Sequence, residues 1–240
     1  MIVITGSSGW LGNHLCKLFN EREEDIYYYD IKSDEDDDIT DFGLPKKIIE
    51  CVRLIIHLAA KPGVRESVKD PKEYWRVNVE GSRQVMRSPV PCIYTSTSAA
   101  KEWWLNPYAT TKRVAEEYNE TGTNLRLTNL YADTYEGKED LFGYKFKNNK
   151  LKYISKGHSR DFIHIEDVCE VIYKLSQMQE LPIGTFDLGS GTSLKLKDIA
   201  PNVPEKKAND FELTDNSCNP KPILDIVGYK IKNDPREYFK

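Results

Sequence analysis

The sequence predicts an α/β fold built on a doubly wound parallel sheet, and three observations support this prediction. Short runs rich in β-branched residues alternate with longer amphipathic stretches, which is typical of parallel strands joined by crossover helices. The strand candidates are apolar at successive positions, as expected for strands that helices cover on both faces. A glycine-rich turn directly follows the first of them.

The predicted elements follow one another in this alternating order. Helices are expected to begin near Pro71 and Pro107, because proline is favoured in a first turn, where its missing N–H costs nothing. A strand that enters a helix is expected over residues 162–177. The other predicted strands are 2–5, 26–30, 54–57, 92–95, 124–128 and 185–188, and the other predicted helices are 11–20, 71–86 and 107–118.

The composition excludes several classes of protein. The chain has 240 residues, of which 39% are hydrophobic, and this length allows one to two domains. Its 34 Lys and Arg nearly balance 38 Asp and Glu, which disfavours a disordered polyelectrolyte and a nucleic-acid binder. The longest apolar stretch, residues 54–60, contains His57 and falls short of the roughly 18 apolar residues of a membrane span. We therefore expect neither nucleic acid nor a membrane as a partner.

The N-terminus and the cysteines indicate the compartment. Residues 1–5 already form a strand pattern, which leaves no room for a signal sequence, so we expect a cytoplasmic protein. The five cysteines are odd in number and never in Cys-x-x-Cys spacing, which disfavours zinc sites and disulfide frameworks. We expect buried, reduced thiols and no metal site.

The turn after the first strand has the spacing G-x-x-G-x-x-G, with Gly6, Gly9 and Gly12. Glycines there let the backbone turn sharply and approach a pyrophosphate, while the helix N-terminus supplies N–H donors. Glycines occur in many strand-to-helix turns, so the position directly after the first strand gives the triplet its weight. It predicts a Rossmann-type dinucleotide site.

Asp30 stands at the end of the second predicted strand. An acidic side chain about 20 residues after the glycines accepts hydrogen bonds from the adenosine ribose hydroxyls. Its charge would repel a 2′-phosphate, which favours NAD over NADP; the alternative is a simple turn residue. In the acidic run that follows, we expect residues 34–37 to be solvated. Asp38 and Ile39 lie where the loop could fold over the adenine edge.

Tyr108 and Lys112 stand four residues apart in a predicted helix, hence on one face. A neighbouring positive charge stabilises a phenolate, so we expect Lys112 to lower the pKa of Tyr108 from about 10 toward that of a general base. Such a tyrosine can take the proton from a sugar hydroxyl. The alternative is that Lys112 merely pairs with Glu116 one turn on.

A cluster of hydroxyl side chains, Thr95, Ser96, Thr97 and Ser98, ends the fourth predicted strand. Open α/β sheets keep their ligand crevice at the carboxyl ends of the strands. A hydroxyl there can hydrogen-bond the reacting oxygen and share its proton with Tyr108. Thr97 is the first choice, Ser96 or Ser98 could replace it, and one of the four could cap a turn.

On these motifs the chain resembles the extended short-chain dehydrogenases/reductases, and among them the NAD-dependent nucleotide-sugar epimerase/dehydratase family. Residues 63–68, followed by Asp70 and Pro71, are similar to the UDP-glucose and UDP-glucuronate 4-epimerases. The matching segments run in family order and are jointly specific; they are residues 5–15, 57–60, 78–81, 106–112, 125–131, 160–168 and 186–191.

The resemblance implies a role for each candidate residue on the cofactor side. Tyr108 is the catalytic base and acid, Lys112 binds the nicotinamide ribose and tunes Tyr108, and Thr97 is the hydroxyl partner. The cofactor is NAD. The residues implied to bind it are Gly6, Ser8, Gly9, Trp10, Leu11, Gly12, Asp30, Asp38, Ile39, Leu58, Ala59, Ala60, Asn78, Thr95, Tyr108 and Lys112.

On the substrate side, the resemblance implies a nucleotide sugar, with UDP as its nucleotide. Ser98 and Asn129 contact the substrate, Asn129 at the diphosphate. Arg160 clamps the diphosphate, a task that suits a planar guanidinium. The alternative for Arg160 is a buried ion pair with Asp161 or Asp167.

The residues after Thr97 distinguish among the reactions of the family. The 4,6-dehydratases follow their catalytic threonine with Asp-Glu, and UDP-glucuronate decarboxylases have Glu where Ala99 stands; here Ser98 and Ala99 follow. What remains is 4-epimerisation of a UDP-sugar, by oxidation at C4, rotation of the ketone and hydride return to its other face. An NDP-4-keto-sugar reductase is one alternative. A non-catalytic NAD-binding regulatory protein is another, from a different class.

The resemblance also implies the organisation of the chain. We expect an NAD-binding Rossmann domain over 1–130 and 158–190, and a small, reduced C-terminal substrate-binding region made of 131–157 and 191–240. A homodimer is implied through helices 71–86 and 107–118. The segment between Thr97 and Tyr108 is shorter than is usual in the family. Trp103 and Trp104 in that segment are equally compatible with a lid over the nicotinamide and with simple packing.

Overall fold

The computed structural model describes residues 1–41 and 44–240. Over these residues the strands are β1 (Ile2–Thr5), β2 (Ile26–Tyr29), β3 (Leu54–His57), β4 (Cys92–Thr97), β5 (Thr123–Leu127), β6 (Asn129–Tyr131), β7 (Ile154–Ser155), β8 (Ser159–His164), β9 (Gly184–Leu188), β10 (Ser193–Lys195) and β11 (Glu205–Lys206). The helices are α1 (Trp10–Glu21), α2 (Lys46–Ile49), α3 (Val64–Lys69), α4 (Pro71–Trp75), α5 (Ser82–Met86), α6 (Pro107–Glu116), α7 (Phe142–Lys147), α8 (Ile165–Ser176), α9 (Leu196–Ile199), α10 (Lys221–Val227) and α11 (Pro235–Tyr238).

A six-stranded parallel sheet forms the centre of the described structure, in the order β2-β1-β3-β4-β5-β9. The chain moves outward from β1 to β2 and then returns to place β3 on the other side of β1. This reversal creates a topological switch point, and ligands bind doubly wound sheets at the carboxyl ends of the strands beside it. The predicted α/β Rossmann-type sheet is confirmed.

Helices cover both faces of this sheet, which explains the apolar strand sequences. Ile2 and Ile4 on β1 belong to a buried cluster that includes side chains of α1 and α8. Val3, between them, points to the opposite face and packs in a second cluster with side chains of α5 and α6. Successive residues of one strand thus face two different cores, so an alternation of polar and apolar residues would bury polar groups.

The predicted helix 71–86 is helical throughout, but its middle is wound more loosely. Pro71 occupies the first turn of α4, where Asp70 caps the helix by accepting the Glu73 N–H at 3.2 Å. Between α4 and α5, Arg76–Gly81 form a π-helical segment. Such π segments are rare and are frequent at functional sites.

A second, smaller sheet extends beyond the end of β5. Its order is β10-β8-β6, and it packs on an aromatic cluster that contains Tyr131, Phe162 and Phe239. The predicted boundary at residue 158 assigns β8 to the nucleotide domain, whereas β8 pairs with β6 and β10. The helix that follows β8, α8, packs against α1 on the central sheet. The two regions therefore interlock at β8, and the division into domains stays a prediction.

No helix within the described ranges is long and apolar enough to cross a membrane. The five cysteines are free thiols; Cys51 is exposed and Cys218 is partly exposed, which departs from the expectation that all would be buried.

Candidate functional site

One groove of about 1260 Å³ runs along the carboxyl ends of the central strands and into the smaller region. At one end it is lined by the glycine turn, and at the other by residues of β6, β8 and the C-terminal segment. Every predicted cofactor, catalytic and substrate residue lines this groove except Asn78. The sequence motifs, although spread over the chain, therefore converge on a single site.

The glycine turn, residues 6–12, forms a cradle lined by backbone atoms, which we call the glycine cradle. Gly6 has a φ of +72°, and a Cβ on it would lie 2.7 Å from the backbone nitrogen of Ala59. A Cβ on Gly12 would lie 2.2 Å from the carbonyl oxygen of Gly6. Both glycines are therefore required by close packing of the turn against its own backbone. The start of α1 lines the groove, where its first N–H groups can face a ligand phosphate.

Asp30 lies at the edge of this cradle and is mostly buried. Its two carboxylate oxygens accept the backbone N–H groups of Ser8 and Lys32, each at 2.9 Å. These bonds fix the carboxylate beside the glycine turn, where each oxygen still has a lone pair for a ribose hydroxyl. Asp38 and Ile39 line the same end of the groove. Asp34, Glu35 and Asp36 are exposed in the loop between Asp30 and Asp38, as expected for a solvated run. Asp37 is partly buried and lines the groove, which departs from that expectation.

Asn78 lies behind the groove wall and is fully buried. Its Oδ1 accepts the Lys61 N–H at 2.7 Å, and its Nδ2 donates to the Lys61 carbonyl at 3.1 Å and to Thr111 Oγ1 at 3.2 Å. Asn78 therefore holds the backbone just after Ala59 and Ala60, which do line the groove. The resemblance implied that Asn78 contacts the cofactor directly, but its side chain is fully buried and does not line the groove.

Tyr108 and Thr97 meet at the centre of the groove. Asn106 caps α6 by accepting the Ala109 N–H at 2.8 Å, and this cap fixes the first turn that carries Tyr108. Thr97 ends β4, and its Oγ1 accepts the Ala99 N–H at 3.3 Å. Burial raises the pKa of Tyr108, and the nearby Thr97 hydroxyl acts in the opposite direction.

The expectation that Lys112 lowers the pKa of Tyr108 is wrong for this structure, where the Tyr108 pKa is raised. Lys112 is itself buried, and its Nζ lies over the ring of Tyr94, 4.2 Å from the centroid. Desolvation lowers the pKa of Lys112 to about 7. A lysine that is largely desolvated supports a phenolate less than a fully charged one would.

The alternative role for Lys112, an ion pair with Glu116, is not formed either. Glu116 is engaged elsewhere, because its Oε2 accepts Arg126 Nη2 at 2.6 Å and its Oε1 accepts Ser96 Oγ at 2.5 Å. The Ser96 hydroxyl is thereby engaged by Glu116, and the Ser98 hydroxyl is approached by Asn216 Nδ2 at 3.4 Å. These contacts favour Thr97 as the hydroxyl partner of Tyr108, which stays a prediction.

Arg160 and Asn129 line the far end of the groove. Arg160 Nη1 donates to the carbonyls of Ser159 at 2.7 Å and Thr214 at 3.0 Å, and its Nη2 lies 3.0 Å from His158 Nδ1. No acidic side chain pairs with Arg160 in the described part of the chain. The predicted alternative, a salt bridge to Asp161 or Asp167, is therefore not present there.

Three further residues of the far end, Arg65, Glu212 and Asn216, were not among the predicted site residues. Arg65 Nε donates to Glu212 Oε1 at 2.9 Å, and both line the groove. Asn216 is buried and donates to Asn129 Oδ1 at 2.7 Å. Arg65 belongs to the 63–68 stretch that the resemblance had singled out. Glu212 and Asn216 carry no local signal, because they reach the groove only through the path of the C-terminal segment.

Trp103 and Trp104 do not line the groove. Their rings contact each other edge to face at 6.1 Å, and 47% and 63% of their surfaces are exposed. A lid over the groove does not match this position, whereas simple packing, here of one indole ring against the other, does.

Several known proteins similar to this chain are named UDP-glucuronate 4-epimerases. The chain is 25% identical over 227 residues to UDP-glucuronate 4-epimerase 2 of Arabidopsis thaliana, which covers 70% of this chain and 52% of that protein. The chain thus spans about half the length of this relative.

Two solved structures are similar over nearly the whole chain. The structure of MoeE5 in complex with UDP-glucuronic acid and NAD matches with a TM-score of 0.80 at 18% identity, covering 99% of this chain and 96% of that one. The dTDP-4-dehydrorhamnose reductase from Bacillus anthracis in complex with NADP matches with a TM-score of 0.81 at 20% identity, covering 99% and 96%. At these identities the likeness shows the fold.

The residues present fit a dinucleotide. The glycine cradle accepts a pyrophosphate, and the fixed Asp30 carboxylate can accept ribose hydroxyls. NAD is the cofactor, consistent with an acidic residue at this position. The family model described as "NAD dependent epimerase/dehydratase family" matches residues 2–189, and the chain therefore belongs to this family of enzymes.

Proposed function

We propose that the protein is an NAD-dependent epimerase that inverts C4 of a UDP-sugar through a 4-keto intermediate. The observation that carries the proposal is that Thr97 and Tyr108 line the same groove as the glycine cradle and Lys112. This pair supplies a proton acceptor and a hydroxyl partner beside a dinucleotide site, which is what oxidation of a secondary alcohol requires.

Tyr108 and Thr97 handle the proton of the reacting hydroxyl. Tyr108 acts in its ionised form: its Oη accepts the proton of the sugar O4 hydroxyl, and Thr97 Oγ1 can hydrogen-bond the same O4 atom. Because burial raises the pKa of Tyr108 in the free protein, this ionisation requires the positive charge that Lys112 and an oxidised nicotinamide would bring. When the ketone is reduced again, Tyr108 returns the proton to O4. The same two residues therefore serve both directions, and the enzyme ends each turnover in its starting protonation state.

Lys112 and the glycine cradle hold the dinucleotide. Lys112 lies one turn after Tyr108 on α6, where its ammonium can hydrogen-bond a ribose. NAD, when bound, supplies the acceptor and donor of the C4 hydride. Lys112 is buried and Tyr108 is partly buried, so a ligand that fills the groove would exclude water from both side chains and strengthen their interaction with it.

The two positions after Thr97 favour epimerisation over dehydration. Ser98 and Ala99 are buried there, and neither has a carboxyl group that could protonate a leaving hydroxyl or remove a C5 proton. Asn129 and Arg160 at the far end supply a neutral donor and a cation for the diphosphate. The 4-epimerase relative, whose name specifies UDP-glucuronate, supports UDP as the nucleotide.

The test is incubation of the purified protein with UDP-glucose, UDP-galactose, UDP-glucuronate and UDP-GlcNAc, followed by separation of the C4 epimers. We expect epimer formation from at least one of them without net consumption of NADH. Tyr108→Phe should abolish it, whereas Tyr118→Phe, at an exposed position just after the same helix, should not. Retained turnover in Tyr108→Phe contradicts the mechanism.

A 4-keto-sugar reductase is the second candidate, because the fold also matches dTDP-4-dehydrorhamnose reductase. The two functions differ in stoichiometry: a reductase consumes one reduced cofactor for each product. Binding of NAD without any binding of UDP-sugars would instead support the regulatory alternative.

A further inference from the structure

Asp161 is a buried residue on β8, and several hydrogen bonds anchor its carboxylate. Its Oδ1 accepts the Ser190 N–H at 2.8 Å and the Ser190 hydroxyl at 2.9 Å, and its Oδ2 accepts the Gly191 N–H at 2.9 Å. The Cys218 thiol also donates to Oδ2, at 3.4 Å. A carboxylate with this many donors is held in one orientation. The backbone N–H of Asp161 is fixed in direction by β8, which lies between β10 and β6 in the smaller sheet.

The backbone N–H of Asp161 determines how the side-chain amide of Asn216 is turned. It donates to Asn216 Oδ1 at 2.7 Å, and Asn216 is 6% exposed. A side-chain amide nitrogen cannot accept a hydrogen bond, so the reverse orientation would place two donors against each other. Asn216 Nδ2 must therefore point away from Asp161.

Asn216 in turn determines the orientation of Asn129. Its Nδ2 donates to Asn129 Oδ1 at 2.7 Å and approaches Ser98 Oγ at 3.4 Å. With its oxygen occupied in this way, Asn129 presents its Nδ2 as a donor, and no acceptor among the described residues engages that group. Asn129 and Asn216 both line the groove, as does Arg160.

We propose that Asn216 is a positioning residue that makes Asn129 a hydrogen-bond donor toward the substrate diphosphate. The proposal rests on the proposed function, because it takes the groove end at Asn129 as the diphosphate site. We call the two hydrogen bonds from Asp161 to Asn216 and from Asn216 to Asn129 the relay. Without the relay, the Asn129 amide could rotate and present its oxygen, which would repel a phosphate oxygen. Asn216 acts through Asn129 and selects an anionic group at this position.

The test is a double-mutant cycle on the affinities of UDP and uridine, measured by calorimetry on the NAD-loaded protein. In Asn216→Asp, one carboxylate oxygen still accepts the Asp161 N–H. The other oxygen replaces the Nδ2 group that donates to Asn129 Oδ1, so an acceptor faces an acceptor. Asn129 then rotates, and we expect UDP affinity to fall about tenfold or more, because a donor is replaced by a repelling oxygen. Affinities for uridine and NAD should stay within about twofold.

The Asn129→Ala background separates the relay from the added charge. If Asn216 acts through Asn129, Asn216→Asp should weaken UDP binding much less in that background. Asn219→Asp is the matched control, because Asn219 is exposed and its Oδ1 keeps its bond to the Lys221 N–H. Asn216→Ala, which adds no charge, should give a smaller loss of UDP affinity.

The outcomes distinguish the two proposals. Equal losses of UDP affinity in the wild-type and Asn129→Ala backgrounds contradict the relay and leave the proposed function standing. A wild-type protein that binds neither UDP nor a UDP-sugar contradicts the proposed function and the diphosphate assignment together. A change of uridine affinity as large as that of UDP contradicts a role at the diphosphate.

Discussion

The Nζ of Lys112 lies 4.2 Å from the centroid of the Tyr94 ring, and both side chains are buried. The ring face partly replaces the lost hydration of an ammonium, but desolvation dominates and lowers the pKa of Lys112 to about 7. Lys112 therefore titrates near neutral pH in the folded protein and near 10.5 in the unfolded chain.

This difference predicts how stability depends on pH. Between pH 7 and pH 10.5 the unfolded chain holds a proton on Lys112 that the folded protein has released, so the free energy of unfolding increases with pH. Lys112→Met lacks this contribution. We expect the difference in unfolding free energy, wild type minus variant, to increase across this window in urea titrations of nucleotide-free protein. A pH-independent difference would show that Lys112 keeps its ordinary pKa.

Asp30→Asn should weaken NAD binding. An asparagine has one oxygen to accept the Ser8 or Lys32 N–H, and its amide donors would face the other N–H group. We expect NAD affinity to fall about tenfold and the preference for NAD over NADP to shrink, measured by calorimetry with both nucleotides. Asp36→Asn removes the same charge from the exposed loop and is the control. Unchanged NAD affinity in Asp30→Asn would remove Asp30 from the adenosine site.

Gly12→Ala should destabilise the fold itself. The new Cβ would lie 2.2 Å from the Gly6 carbonyl oxygen and 2.7 Å from the Ser7 carbonyl oxygen, and neither backbone group can move without disturbing β1. We expect a loss of about 3 kcal/mol in the free energy of unfolding. Gly9→Ala, whose Cβ would lie 3.1 Å from the Gly6 oxygen, should cost much less. Equal stabilities for the two variants would mean that the turn is not close-packed.

The parts of the fold and site that could be predicted are those encoded by residues close to one another in the sequence. The strand ending at Thr5, the glycine turn and the four-residue spacing of Tyr108 and Lys112 each follow from a few neighbouring residues. Asn216 and Glu212 could not be found in this way, because the irregular segment after β11 brings them to the groove by tertiary packing. The direction of the Tyr108 pKa shift was also missed, since it depends on burial rather than on the residue four positions on.

The direct test of C4 epimerisation uses a UDP-sugar substrate that carries deuterium at C4, in ordinary water. Oxidation and return of the same hydrogen at C4 predicts that the epimer forms with the label retained at C4, as read by mass spectrometry and NMR. Tyr108→Phe should give neither epimer nor loss of label. An epimer whose C4 label has exchanged with water, or no epimer from any UDP-sugar tested, would contradict the account.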